Sequence, residues 1–237
     1  MTITIDQNVL ESLEAAPVPY DFFREVHKGL RRALFDVTAF AGAAACEDSA
    51  VRAEVAERVH ALVSLLHSHH GHEDAFIQPL LEAHAPELAA AVDDGHVEID
   101  RDLDAIELRT NRLLGAEGGD AISVGLDLYR YLASFVSRYL AHMELEEGFV
   151  MTALRDAMSV AELFEVDMAL RAAVPPPTMC AFIAVMAPAM NLEERTNMLA
   201  GMQAGAPPEI FELFRAAAEA ALTASDYRTV AARLGLA

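Results

Sequence analysis

Apolar side chains recur at intervals of three and four residues along most of this chain, which is the period of an amphipathic α-helix. The pattern predicts four long helices, over about residues 19–45, 50–83, 86–114 and 120–156. Ala and Leu dominate the apolar residues, which favours helix, and no alternating run of β-branched residues indicates a strand. We therefore expect an all-α protein built around four amphipathic helices.

Local signals at the ends of these segments refine the expectation. Ser49 and Ser225 are predicted N-caps of the second helix and of the last helix, because a serine hydroxyl can accept a hydrogen bond from a free N–H group in a first turn. Pro79 is expected to kink or shorten the end of the second helix. The Asp-Asp-Gly run at 93–95 predicts an irregularity in the third helix, and Gly-Ala-Glu-Gly-Gly at 115–119 is the clearest loop.

The last third of the chain has a different texture. Residues 158–237 predict several short helices rich in Ala, Met and Leu, separated by prolines and glycines. They contain no constellation of chemically active side chains. We expect one domain over 17–157 and a helical extension over 158–237 that packs on the first domain or on a partner subunit, which would give a homo-oligomer.

Polar residues interrupt the apolar face of the second helix. His69 and Glu73 are four residues apart, so they lie roughly 40° from one another on the helix surface. Glu73 points in the same direction as the apolar side chains Leu62, Leu66, Phe76, Ile77 and Leu80. A carboxylate in a core is costly unless it is paired or binds a metal ion. His67 and His72 point away and are expected to be solvated, while His70 is at the margin of the inward face.

The same spacing returns in the fourth helix, where His142 and Glu146 point inward together with Phe149, Val150 and Ala153. His27 lies in the middle of the inward stripe of the first helix, and His96 lies at the edge of the stripe in the third. Six donors therefore converge from four helices: His27, His69, Glu73, His96, His142 and Glu146. Imidazole and carboxylate donors suit iron, manganese or zinc. Because each of two carboxylates can span two ions, a dinuclear site is more natural than a mononuclear one.

The order His, HxxxE, His, HxxxE on successive helices resembles the hemerythrin-like, or HHE cation-binding, family. Residues 26–34, 69–81 and 142–147 are similar to its first, second and fourth helices, and the resemblance covers about residues 20–156. It implies an up-down-up-down four-helix bundle that holds a non-haem di-iron centre with an oxo or hydroxo bridge, in which Glu73 and Glu146 are the bridging carboxylates. The tail, which contains Gly-Ala-Pro-Pro-Glu at 205–209, is similar to tails of bacterial members.

The chain departs from the family pattern at one position. Oxygen-carrying hemerythrins have HxxxH on the third helix, whereas here the motif reads His96-x-x-x-Asp100. Asp100 or His70 could replace the missing histidine. Because the six-ligand pattern is complete without either residue, we expect water to hold that position. The departure weakens the case for simple reversible oxygen carriage, and the paired cysteines of the iron–sulfur-repair branch are absent.

Charge and cysteine content narrow the class of protein. The net charge of −20 argues against partners such as nucleic acid and anionic membranes, which attract basic surfaces. Two cysteines and no signal-peptide pattern or long apolar run favour a cytoplasmic protein. We expect a di-iron protein that senses or binds oxygen, nitric oxide or iron. The alternatives are an enzyme that turns over peroxide or nitric oxide at the same centre, and a structural bundle stapled by zinc.

Overall fold

The structure is a computed structural model that describes residues 7–15 and 18–236. Within these residues all regular structure is helical, which confirms the predicted all-α class. The helices are α1 (Gln7–Glu14), α2 (Arg24–Ala43), α3 (Ser49–Phe76), α4 (Gln78–His84), α5 (Pro86–Leu114), α6 (Gly118–Leu145), α7 (Met151–Ala157), α8 (Val160–Ala173), α9 (Pro176–Ala189), α10 (Leu192–Gly205), α11 (Pro208–Ala221) and α12 (Ala224–Arg233), and a π-helical turn at Glu146–Val150 joins α6 to α7.

The described residues divide into two compact units. The bundle unit contains the residues up to Asp21 together with Leu34–Arg171, and the C-terminal unit contains Phe22–Ala33 together with the residues from Ala172 onward. The division falls inside α2, so that the first half of this helix belongs to the C-terminal unit. The domain boundary predicted between residues 157 and 158 stays a prediction.

The long helices of the bundle unit pack as neighbours in a ring. α3 packs on α5, and α5 packs on α6. The second half of α2 contacts both α3 and α6, because the Arg58 guanidinium lies 3.8 Å from the centre of the Phe40 ring and the backbone at Gly42 lies against the ring of Tyr129. Short connections between these helices make neighbours antiparallel, as in an up-down four-helix bundle.

Several predicted helix ends differ from the observed ones. The N-cap of α3 is Asp48, whose carboxylate accepts a hydrogen bond from Ala50 N at 2.8 Å, and not Ser49. The N-cap of α12 is Thr223, and not Ser225. Pro79 ends up in the first turn of the separate short helix α4, so it does shorten the preceding helix, which ends at Phe76. Gly118 starts α6 with φ +51°, a conformation that favours glycine.

The C-terminal unit is built around the pair α9 and α11, with α10 and α12 packed beside them. The first half of α2 lies against α9 so closely that a Cβ atom on Gly29 would be 2.9 Å from the Cα atom of Met186. Lys28 Nζ also lies 2.5 Å from Glu194 Oε1 at the start of α10. The segment that carries His27 is therefore held by the C-terminal helices.

Among the described residues, no single helix is long and apolar enough to cross a membrane. Only the bent pair α8 and α9, counted as one segment, reaches the length and apolar composition of a membrane span.

Candidate metal centre

The His69–Glu73 pair of α3 is buried as its helical phase predicts. The exposed fractions of the two residues are 6% and 4%. One turn of α3 separates them, and His69 Nε2 lies 3.2 Å from Glu73 Oε1. The helix ends at Phe76, three residues later, and the N–H of the next residue, Ile77, donates to the Glu73 carbonyl oxygen at 2.8 Å.

The second pair lies where α6 changes into the π-helical turn. His142 is in the last turn of α6, Glu146 begins the π-helical turn, and His142 Nε2 lies 3.0 Å from Glu146 Oε1. Such single π-turns inside α-helices are frequent at functional sites. The turn inserts one extra residue, so the inward face of the following helix shifts by one position. Phe149 is consequently 65% exposed although it was predicted to point inward, and Val150, Met151 and Leu154 are buried.

His96 of α5 lies between the two carboxylates. Its Nε2 atom is 3.6 Å from Glu73 Oε2 and 3.6 Å from Glu146 Oε1. Its Nδ1 atom is 2.7 Å from Asp74 Oδ1. Because an ionised carboxylate only accepts hydrogen bonds, Nδ1 donates to Asp74 and Nε2 is the nitrogen that faces the two glutamates. Burial alone would lower the pKa of His96, but its contacts with Glu146 and Asp74 raise it.

A glycine in α5 makes room for the ring of His142. A Cβ atom on Gly95 would lie 2.8 Å from His142 Nδ1 and 3.2 Å from His142 Cε1. α5 runs without interruption through residues 93–95, so the irregularity predicted there does not occur. The glycine is explained by the close approach of the imidazole and not by a change in the backbone.

Several buried polar atoms of this cluster make no hydrogen bonds to one another and are suited to bind a cation. Both carboxylate oxygens of Glu73, and the Nε2 atoms of His96 and His142, are buried without a hydrogen-bond partner among the described residues. Burial raises the pKa of Glu73 well above its usual range, and the nearby carboxylates of Glu146 and Asp74 raise it further. A cation would supply the missing partner of each atom and offset the repulsion between the carboxylates.

The donor atoms form two groups. His69, Glu73 and Glu146 offer ligand atoms that lie within 4.8 Å of one another. His70, His96 and His142 offer a second set within the same limit. The two groups are adjacent, since Glu73 and His96 are in contact across them, and each could hold a metal ion.

His27 is fully buried in the first half of α2, and its ring stacks on Phe23 with 4.9 Å between ring centres. This part of α2 belongs to the C-terminal unit. Its role as a ligand stays a prediction from the sequence pattern.

Asp100, His67 and His72 lie outside the cluster, whereas His70 lies inside it. Asp100 is not at the cluster, because its side chain is 58% exposed and lies 3.3 Å from Nδ1 of the exposed His67. His72 is half-buried and contacts the Ser68 carbonyl oxygen of its own helix. His70, which helical phase placed only at the margin, is 3% exposed and lies inside the bundle unit. The position of His70 on α3 could not predict its burial, because α5 and α6 determine how much of the edge of that helix face is covered.

Tyr139 of α6 is a neighbour of the site that the sequence analysis did not single out. Its side chain is fully buried, and its hydroxyl lies 3.1 Å from His70 Nε2. Burial raises the pKa of Tyr139 well above its usual range, and the charges of Glu73 and Glu146 raise it further. A buried tyrosine hydroxyl usually has a hydrogen-bond partner, but the sequence does not show that the partner of Tyr139 is His70.

A comparison with known protein families agrees with this geometry. A family model described as the hemerythrin HHE cation binding domain matches residues 18–154, a range that contains all six predicted ligands. No curated protein and no solved structure matches the chain. The family is one of cation-binding helical domains, and the buried histidine and glutamate groups described above could hold a metal ion. Since the match covers more than half of the chain, this protein belongs to the hemerythrin HHE cation-binding family.

Proposed function

We propose that this protein binds two iron ions at a carboxylate-bridged centre and uses them to sense or bind oxygen, nitric oxide or iron. The observation that carries the proposal is Glu73, whose two oxygens are both buried and without hydrogen-bond partners while imidazole groups from α3 and α5 face them. A carboxylate in that state suits two cations, one on each oxygen.

The proposed ligands divide between the two ions. His69 would bind one ion, and His96 and His142 would bind the other; His27 stays a ligand predicted from the sequence pattern. Glu73 and Glu146 would contact both. Bound iron would supply reversible redox chemistry and exchangeable positions for a small diatomic molecule or a peroxide. Zinc or manganese would fit the same donor atoms, so the identity of the ions is part of the proposal.

The surrounding residues have two tasks. Asp74 orients His96 through the Nδ1 hydrogen bond, as a carboxylate beyond the ligands commonly does at histidine sites. Tyr139 and Phe135, which are fully buried with 5.5 Å between their ring centres, exclude bulk water on the α6 side. A site enclosed in this way admits small ligands in preference to large organic substrates.

The experiment is metal analysis of untagged protein, followed by visible and near-ultraviolet spectra before and after exposure to oxygen. We expect close to two iron ions per chain and oxo-to-iron charge-transfer bands in the oxidised protein. Stoichiometric zinc alone, or a single ion that added ferrous iron cannot raise to two, would contradict the proposal and favour the zinc-stapled bundle. Catalytic turnover of peroxide or nitric oxide by the iron-loaded protein would favour the enzyme instead.

The proposed compartment is the cytoplasm, which suits Cys46 and Cys180, both of which are free thiols. A homo-oligomer formed through the C-terminal helices is the proposed assembly. Sedimentation of the purified protein tests it.

A further inference from the structure

His70 is enclosed by the proposed ligands of one ion. Its ring stacks on that of His96, with 4.8 Å between the ring centres and 19° between the planes, and the ring of His142 is 6.0 Å away, edge to face. The three side chains offer donor atoms within 4.8 Å of one another. The residue is 3% exposed, so solvent does not reach the ring.

The two ring nitrogens of His70 have different surroundings. Nε2 lies 3.1 Å from the hydroxyl oxygen of Tyr139. Nδ1 is buried and has no hydrogen-bond partner among the described residues. A buried polar atom without a partner is destabilising, and native proteins retain one mainly where a ligand or ion completes it.

We propose that His70 is a further metal ligand, bound through Nδ1, and that its Nε2–H donates a hydrogen bond to Tyr139, which holds the ring in place. This inference rests on the proposed metal centre. It places the replacement for the missing third-helix histidine on α3, next to His69 in the sequence. Asp100 is excluded from this role by its exposure and by its contact with His67.

The consequence concerns how many positions of the centre can exchange. With His70 bound, a protein nitrogen occupies the position at which we expected water from the sequence. Small ligands would then exchange at the ion held by His69 in preference to the ion held by His96 and His142. We expect azide to bind the oxidised centre with one azide per pair of ions.

Two substitutions of His70 separate the roles of its nitrogens. The amide of glutamine reaches the place of Nε2 and can keep the contact with Tyr139, whereas the amide of asparagine reaches only the place of Nδ1. We expect His70→Gln to weaken the binding of one of two ferrous ions by more than about 100-fold, beyond the loss typical for a residue outside the ligand set. The measurement is anaerobic ferrous titration against a competing chelator, with His67→Ala and Asp100→Ala as controls that keep both ions.

The outcomes are distinct. If wild type binds fewer than two ions, the proposed di-iron function fails together with this inference. If wild type binds two and His70→Gln does so equally well while His70→Asn does not, then His70 acts only through Tyr139 and the inference alone is wrong. Circular dichroism and thermal unfolding with chelator present establish that each variant folds.

Proton NMR of the cobalt(II)-loaded wild-type chain tests the same point without a change at His70. Each bound histidine contributes one exchangeable N–H signal shifted by the metal, so five such signals are expected in place of four. Tyr139→Phe should speed the solvent exchange of one of them, because the acceptor of the His70 Nε2–H is removed. Four signals in wild type, none of which changes in Tyr139→Phe, would overturn the inference.

Discussion

The two units of this protein bury different kinds of side chain. Over residues 176–233, all of which the structure describes, every buried side chain is apolar. The set consists of Phe182, Ile183, Met186, Ala187, Met190, Met198, Leu199, Phe211, Phe214, Ala218, Leu222, Val230 and Ala231. The bundle unit buries His69, His70, Glu73, His96, His142 and Glu146. Apolar burial stabilises a fold without any ligand, whereas buried carboxylates and imidazoles cost free energy until they are partnered.

The comparison also indicates what the C-terminal helices contribute. Among the described residues of the C-terminal unit, one buried side chain is polar, that of His27, on the half of α2 that packs against α9. Close contact at Gly29 and the ion pair between Lys28 and Glu194 hold that segment. The C-terminal helices thus support the segment that carries a predicted ligand, which is a reason for the extension that its sequence did not reveal.

The largest expected effect is the loss of metal when a buried carboxylate is removed from the bundle unit. Glu73→Ala and Glu146→Ala should each reduce the metal content by at least one ion per chain, because each carboxylate would contact both ions. His67→Ala and His72→Ala are the matched controls and should keep the wild-type content. Metal analysis after dialysis measures this, and equal losses in all four variants would refute the assignment of the site.

A smaller effect is expected from the glycine that accommodates His142. Gly95→Ala places a methyl group 2.8 Å from His142 Nδ1, so the ring must move, at a cost of about 1–3 kcal/mol, the range for overpacking. Metal affinity should fall accordingly in a chelator competition. Gly71→Ala is the control, since nothing lies within 4 Å of the added Cβ atom; it should keep the affinity and gain about 0.4–1 kcal/mol of stability. A Gly95→Ala variant with wild-type affinity would show that the ring can move without consequence.

The matching test in the C-terminal unit uses Gly29. Gly29→Ala brings a Cβ atom within 2.9 Å of the Met186 Cα atom, and backbone cannot yield as a side-chain end can. We expect a loss of about 1–3 kcal/mol in the free energy of unfolding, measured by urea denaturation of the metal-free protein. Gly201→Ala in α10, where the added Cβ atom has open space, should be neutral or stabilising. If Gly29→Ala also leaves the free energy of unfolding unchanged, the close packing of α2 on α9 does not contribute to stability.

The smallest effect concerns pH and the metal-free bundle. Burial holds the pKa of Glu73 above its unfolded value, so its contribution to stability is fully present below about pH 4.5, the pKa of the unfolded side chain, and is lost as the pH rises through the folded pKa. Glu73→Gln cannot ionise, so it should become more stable than wild type as the pH rises, by about 1 kcal/mol.

Thermal unfolding with chelator present, from pH 5 to pH 9, measures the difference between Glu73→Gln and wild type. The difference should be smallest at pH 5 and grow with pH, although the variant should bind less metal. A difference that shrinks with rising pH would contradict the raised pKa. The comparison between wild type and variant removes the separate effect of His70, whose pKa burial lowers to about 3.

Most of the site follows from spacing along single helices. His69 with Glu73, and His142 with Glu146, share a helix face because four residues make slightly more than one turn. Their burial could be predicted because the same face carries Leu66 and Leu128, and both side chains are fully buried. Helical periodicity therefore determined the fold class and these two pairs before any packing was known.

The sequence by itself determined the helices, the HxxxE pairs and the family. The π-helical turn, which regular helical periodicity does not include, decided the exposure of Phe149. Tertiary structure decided the burial of His70, its contact with Tyr139 and the need for Gly95 beside His142. The physical reason is that local pattern sets the direction of a side chain from its own helix axis, whereas burial and partners depend on which neighbouring helix covers that direction. Residues at the margin of a helix face are therefore assigned only when α3, α5 and α6 are packed together.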